Sequence, residues 1–75
     1  MSNLSTFTQR LKEIRKTKNI TQKQLAAESG LSERGYQRIE NGENGITLEN
    51  AITIANILNV SLDYLVGYSD DPTRH

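Results

Sequence analysis

Arg34 and Arg38 stand one helical turn apart, so on a helix their side chains project together. Each guanidinium is a rigid fork of donors that suits planar acceptors: a carboxylate, a phosphate or the edge of a base. Ser32, Glu33 and Gln37 lie beside them and add a hydroxyl, a carboxylate and an amide. Upstream, Gln22 and Lys23 open another segment, and Arg10, Lys16 and Lys18 add further donors. What the chain lacks narrows its chemistry as much. It has no cysteine, and its one histidine, His75, is the last residue. That removes disulfides, thiolate metal sites and histidine-based triads, and it fits a reducing compartment. There is no nucleophile–base constellation and no glycine-rich phosphate loop, and 75 residues are too few to enclose a substrate. The chain is expected to be a binding module rather than an enzyme, with no metal, cofactor or small-molecule substrate.

The formal net charge is zero, but it is unevenly spread. Residues 1–38 hold eight basic and three acidic residues, a balance of +5; residues 39–75 hold six acidic and one basic, a balance of −5. Such a chain can turn a positive face to a polyanion while staying neutral overall. Equally, the two halves can neutralise each other in the fold; charge alone leaves both open. No apolar run approaches the roughly 20 residues that span a bilayer, and Met1 to Thr8 is polar, without a signal-peptide core. A soluble cytoplasmic protein is expected, with one domain over residues 1–67 and a frayed polar tail over 68–75.

Short helices separated by turn signals must position these side chains. Phe7, Leu11 and Ile14 share one helical face, with Thr6 and Gln9 as a capping box at its start. Thr21 and Gln24 form a second box, with Ile20 and Leu25 in staple register; Ser29-Gly30 ends that helix. Ser32 caps a third helix reaching Glu40, and Asn41-Gly42 stops it. Thr47 caps a fourth, whose buried stripe is expected to be Leu48, Ala51, Ile52, Ala55 and Leu58, widened by Ile54 and Ile57. Ser61 caps a short fifth, ended by Gly67. No period-2 alternation competes, so the fold class is all-α.

Between Gln22 and Asn41 two helices meet across three or four residues, with Gly30 at the turn and Ala26 where a larger side chain would push them apart. Leu25, Leu31, Tyr36 and Ile39 fall where the pair shares a core. That is helix-turn-helix spacing. Thr21-Gln22, Leu25-Ala26, Gly30, Ser32, Ile39-Glu40-Asn41-Gly42 and Val60-Ser61-Leu62-Asp63-Tyr64-Leu65 together resemble the Cro/C1-type helix-turn-helix family, the phage repressors and their bacterial relatives. The resemblance covers residues 7–67 and implies a compact five-helix, lambda-repressor-like domain that binds double-stranded DNA.

The resemblance implies that the third helix enters the major groove. Arg34 and Arg38 would then meet guanine O6 and N7, Glu33 cytosine N4, and Ser32 and Gln37 bases or phosphate. Gly35 would let the backbone come close to DNA. Gln22, at the start of the second helix, would brace against a phosphate, with Lys23, Arg10 and a backbone group of Asn41 as further backbone contacts. Lys16 and Lys18 are weaker candidates. Arg15 and Glu40 would form a structural salt bridge, and Tyr36 would be core with its hydroxyl reaching the surface; base stacking is its sharper alternative. A homodimer on a palindromic operator is expected, through Ile57, Leu62, Leu65 and the Asn59 loop. The sequence also departs from the pattern. Glu43-Asn44-Gly45-Ile46 carries an acid where relatives often place a base, and Ser29 takes a position that is more often apolar. The acidic second half of the chain keeps a second reading open, a protein-interaction or antitoxin-like module on the same fold.

Overall fold

Four hydroxyl side chains fix where four of the helices begin. Thr21, Ser32, Thr47 and Ser61 each hold an extended backbone and accept a hydrogen bond from the amide three residues on: Gln24, Gly35, Asn50 and Tyr64. At Thr21 the reciprocal bond, from its own amide to Gln24 Oε1, completes the box. Caps of this kind are worth about 1 kcal/mol each, which matters in so small a domain. The computed structural model describes residues 3–73, and its elements are α1 (Asn3–Thr17), α2 (Gln22–Glu28), α3 (Glu33–Glu40), α4 (Leu48–Leu58) and α5 (Leu62–Val66), with no strand among the described residues. No described helix is long and apolar enough to cross a membrane.

α1 begins at Asn3, so Thr6 lies inside the helix rather than at its cap. No proline or glycine precedes Thr6 in the described part of α1, and nothing there stops the helix from extending backwards. The later stops match their residues. Asn19 and Asn59 adopt left-handed backbone, with φ of 59° and 55°, after α1 and α4. Asparagine tolerates that conformation better than other side chains with a Cβ.

The core is built from Phe7, Leu11, Leu25, Tyr36, Ile54, Leu58 and Leu65, with Ala26 and Ala55 where helices approach closely. α1 packs on α3 and α5, α2 on α3 and α4, and α4 on α5. α4 is rotated relative to the expected stripe. Ala51, Ile54, Ala55 and Leu58 are buried, whereas Leu48 is 69% exposed and Ile52 43% exposed. α4 is apolar over more than half its circumference, so periodicity does not choose which part faces inward. The neighbours choose, and the small Ala51 and Ala55 let them come close.

The tail also differs from expectation. Gly67, at φ 91°, turns the chain back, and the Tyr68 amide donates to Asp63 O at 2.8 Å. The Ser61 amide then donates to Pro72 O at 3.0 Å. Arg10 closes the arrangement: its Nη1 donates to the carbonyls of Tyr64 and Ser69, and its Nη2 meets Asp70 at 2.8 Å. The guanidinium also lies 4.2 Å from the centre of the Tyr64 ring. Through Thr73 the segment is therefore tied down rather than frayed; residues 74–75, the remainder of the expected tail, lie outside the described residues. Arg10→Ala is expected to cost about 1–2 kcal/mol, the worth of charge-assisted bonds that are partly exposed. It should speed hydrogen exchange at the Ser61 amide while amides within α3 keep their relative protection; amide exchange followed by NMR checks this.

Candidate nucleic-acid interface

The connection between α2 and α3 is closed by its own backbone. Gly30 N donates to Ala27 O, and Leu31 N to Ala26 O at 2.9 Å, with Gly30 at φ 74°. Ala26 is buried beneath this turn, so the two helices meet without a side chain to separate them. α3 turns Tyr36, Ile39 and Glu40 inward and leaves the opposite face to solvent.

On that outer face Glu33, Arg34 and Arg38 are exposed and Gln37 is half-buried. Such a face can be a salt-bridged surface, with Arg34 and Arg38 held by Glu33 and Glu40, or it can offer two available forks. The geometry separates them. The described ion pairs are Arg10–Asp70 and Arg15–Glu40, so neither Arg34 nor Arg38 holds a carboxylate. Glu33 instead leans on Gln37, at 3.5 Å from its amide nitrogen, and Glu40 points into the core. Ser32 Oγ is engaged as the cap, accepting from Gly35 N at 3.0 Å. A Cβ on Gly35 would come 2.9 Å from that hydroxyl, so the glycine also makes room for the cap. Lys23, Lys16, Lys18 and Asn41 are exposed. Arg10 is not available in the way expected. Its guanidinium is spent on the tail and on Tyr64, because the carbonyls at the end of α5 and the turned-back segment surround it.

Behind the outer face lies a saturated buried carboxylate. Arg15 Nε and Nη2 both donate to Glu40 at 2.9 Å, a bidentate pair with Arg15 7% and Glu40 1% exposed. Tyr36 donates its hydroxyl to Glu40 Oε2 at 2.5 Å, and Gln22 Nε2 donates to Oε1 at 3.1 Å. Four donors fill the roughly four lone-pair positions of the carboxylate. Arg15 Nη1 continues to Ile20 O at 2.8 Å. Three helices and the turn between α1 and α2 are thereby fastened at one point, which sets how α3 is held. No described buried side-chain nitrogen or oxygen lacks a partner.

Charges follow from these contacts. Burial raises the Glu40 carboxyl, but hydrogen bonds from Arg15, Tyr36 and Gln22 outweigh it and hold it below its ordinary 4.5. Burial, and then the bond to Glu40, pushes the Tyr36 hydroxyl far above its ordinary value, so it stays a donor. The hydrogen bond to Glu40 raises Arg15 further, so it stays a cation. A carboxyl with a lowered pKa in the fold adds stability that is complete above its unfolded value and lost as pH falls through the folded one. Urea midpoints are therefore expected to fall as pH drops below about 4.5. That acid limb should be shallower in a variant with methionine at both Arg15 and Glu40; urea titrations across the acid range check it.

Sequence reasoning missed parts of this arrangement. Tyr36 was expected to send its hydroxyl to the surface and is fully buried instead, which also removes base stacking. The signal was present as the four-residue spacing between Tyr36 and Glu40. The inward reach of Gln22 had no local signal, since Gln22 and Glu40 are 18 positions apart. The expected dimer face is also changed. Leu65 has no exposed surface and belongs to the core, because α5 packs against both α1 and α4. Ile57 and Leu62 are partly buried against that core, and Asn59 is exposed.

Two helices crossing at a short glycine turn, the second held by a buried ion pair and presenting two arginines without an ion-pair partner among the described residues, define a helix-turn-helix domain. The profile of the helix-turn-helix family matches residues 11–65, and the chain belongs to that family, in its Cro/C1 type. It is 44% identical over 59 residues to the cryptic phage CTXphi transcriptional repressor RstR of Vibrio cholerae, covering 79% of this chain and 53% of the repressor. It is 33% identical over 66 residues to an uncharacterized HTH-type transcriptional regulator, YobD, of Bacillus subtilis, covering 88% of this chain and 59% of the relative. It is 32% identical over 72 residues to the HTH-type transcriptional repressor RghR of Bacillus subtilis, covering 91% and 53%. The chain thus spans about half the length of the curated relatives it matches. No solved structure gives a significant match.

Proposed function

We propose that this chain is a sequence-specific, double-stranded-DNA-binding transcriptional regulator, a repressor that acts by occupying its operator. One observation carries the reading. The outer face of α3 offers two guanidinium forks with no carboxylate partner among the described residues, on a helix fastened from behind by a saturated buried network. Arg34 and Arg38 are assigned to guanine edges, Glu33 and Gln37 to neighbouring bases. Ser32 still has its hydroxyl hydrogen to donate. Gln22, Lys23 and the Asn41 backbone are assigned to phosphate. The likeness to named repressors supports the direction of control.

The protein works as a homodimer on a palindromic operator, with half-sites roughly 34–36 Å apart. Ile57, Leu62 and the Asn59 loop remain the proposed dimer face. A groove between α4 and α5 joins the partly buried Leu62 to the exposed Ile52, and Leu48 lies one turn away on α4. That extends the apolar surface a second copy can cover. Selection from a randomised duplex pool at about 0.1 M salt tests the proposal, at a salt concentration where non-specific phosphate contacts still count. Recovery of an inverted repeat with guanines in each half-site is expected. Recovery of no enriched sequence, from protein that is folded by circular dichroism, overturns it and turns attention to a protein partner.

A further inference from the structure

We infer that Asn44-Gly45, in the loop after α3, is a self-modification site: it converts without an enzyme to aspartate and isoaspartate, while Asn41-Gly42 is held back. The sequence holds both Asn-Gly pairs, and by residue type they are equivalent. The fold makes them unlike. In the reaction the backbone nitrogen of the glycine loses its proton and attacks Cγ of the asparagine. A carbon–nitrogen bond closes a succinimide ring, the Cγ–Nδ2 bond breaks, and the nitrogen leaves with a proton as ammonia. Water then opens the ring at either carbonyl and leaves a carboxylate in place of the amide. No reactant beyond water is needed.

Asn41 is the C-cap of α3, with φ −83° and ψ −5°, and its own amide donates to Gln37 O at 2.9 Å. The Gly42 amide, the nucleophile at that pair, donates to Ile39 O at 3.1 Å. Ring closure needs rotation about the Asn41 ψ and a deprotonated Gly42 nitrogen, and both break that bond. Asn44 lies beyond the last turn. Asn44 and Gly45 are exposed, and among the described residues no hydrogen bond holds the Gly45 amide or the Asn44 carboxamide. A Cβ on Gly45 would meet nothing within 4 Å, and its φ is not positive, so the fold does not require glycine there. Its missing side chain leaves the nitrogen unhindered for attack. The product acts on α3. The amides of Glu43 and Asn44 both donate to Arg38 O, at 2.8 and 3.2 Å, so this loop closes the last turn of the helix that carries Arg38. A new carboxylate beside Glu43 opposes the negative end of that helix, and isoaspartate also inserts an extra carbon into the main chain. Conversion therefore loosens the end of α3; resting on the DNA-binding reading, duplex affinity falls with it.

The test incubates the whole chain at mildly alkaline pH and reads deamidation by mass spectrometry, with fragmentation to tell Asn41 from Asn44. A free peptide of residues 39–49 is run beside it. The peptide is expected to gain the deamidation mass at both asparagines, and the folded chain at Asn44 alone. Gly45→Ala, which the open space around Gly45 accommodates, should lose the gain at Asn44 over the same incubation. Gain at Asn41 as fast as at Asn44 in the folded chain overturns the inference. So does no gain at Asn44 over a time in which the peptide converts. This readout needs no DNA, so it stands or falls apart from the DNA-binding reading. Titration with a duplex recovered by selection supplies the second readout. Converted parent should bind several-fold more weakly than fresh parent, while Gly45→Ala incubated alongside should not change. An equal loss in both, or no loss in fully converted parent, contradicts the link to α3. If fresh parent binds no duplex, the DNA-binding reading falls and the mass gain alone decides the site.

Discussion

Arg15→Ala is expected to remove a large share of the domain's stability and to lower its urea midpoint sharply. Removing one partner of a buried ion pair costs about 3–5 kcal/mol, because the other charge remains buried without compensation. A domain of 75 residues has in total about 4–11 kcal/mol to lose. Here the stranded group is Glu40, which would keep only Tyr36 and Gln22 as donors. Removing both charges tests the cause. With methionine at both positions no charge is stranded, and stability should return to within about 1–2 kcal/mol of the parent or exceed it. Urea denaturation of the parent, the single and the double variant separates these cases. A single variant as stable as the parent would show that the pair does not fasten the helices. The double variant matters for function as well, since a stable fold with a less firmly held α3 should bind duplex with less discrimination.

Charge reversal at both outer arginines, Arg34→Glu with Arg38→Glu, is expected to abolish binding to the selected duplex with the fold intact. Each bidentate arginine–guanine contact is worth about 1–3 kcal/mol of discrimination. Losing two weakens binding by roughly two to four powers of ten, before the repulsion between the new carboxylates and phosphate is counted. The fold has no stake in either side chain. Both are exposed and neither holds an ion pair among the described residues, so far-ultraviolet dichroism and the urea midpoint should change little. Duplex titrations followed by fluorescence anisotropy check it. Retained affinity in the doubly reversed protein would place the interface elsewhere.

Much of this was legible in the sequence, for identifiable reasons. Four helix starts were readable because a threonine or serine can satisfy an amide three residues on, a purely local event. The α2–α3 unit was readable because Gly30 and the small Ala26 mark a close crossing. The start of α1 was misplaced because Thr6 and Gln9 fit a cap pattern that the longer helix simply ran through. The face of α4 was misjudged at Leu48 and Ile52, because a helix rich in isoleucine and leucine leaves the choice of face to its neighbours. On the outer face of α3, the four-residue spacing made the shared projection of Arg34 and Arg38 readable, since projection from one helix is again local. The roles of Arg10, Gln22 and Leu65 were not readable in the same way. Arg10 meets carbonyls 54 and 59 residues away, and Gln22 meets a carboxylate 18 residues away. Such contacts exist only once the helices are docked, and local spacing carries no record of them.

The most direct measurement replaces the guanines of the selected half-site, one at a time, with 7-deazaguanine. That removes the N7 acceptor in the major groove and leaves base pairing intact. Each guanine read by an arginine should lose about tenfold in affinity, a magnitude typical of one lost contact to a base edge. The loss at one guanine should vanish in Arg34→Ala and at another in Arg38→Ala, since a missing side chain cannot miss its acceptor. Binding indifferent to 7-deazaguanine, or equally sensitive in the parent and both variants, would contradict the assignment of these two arginines to the base edges.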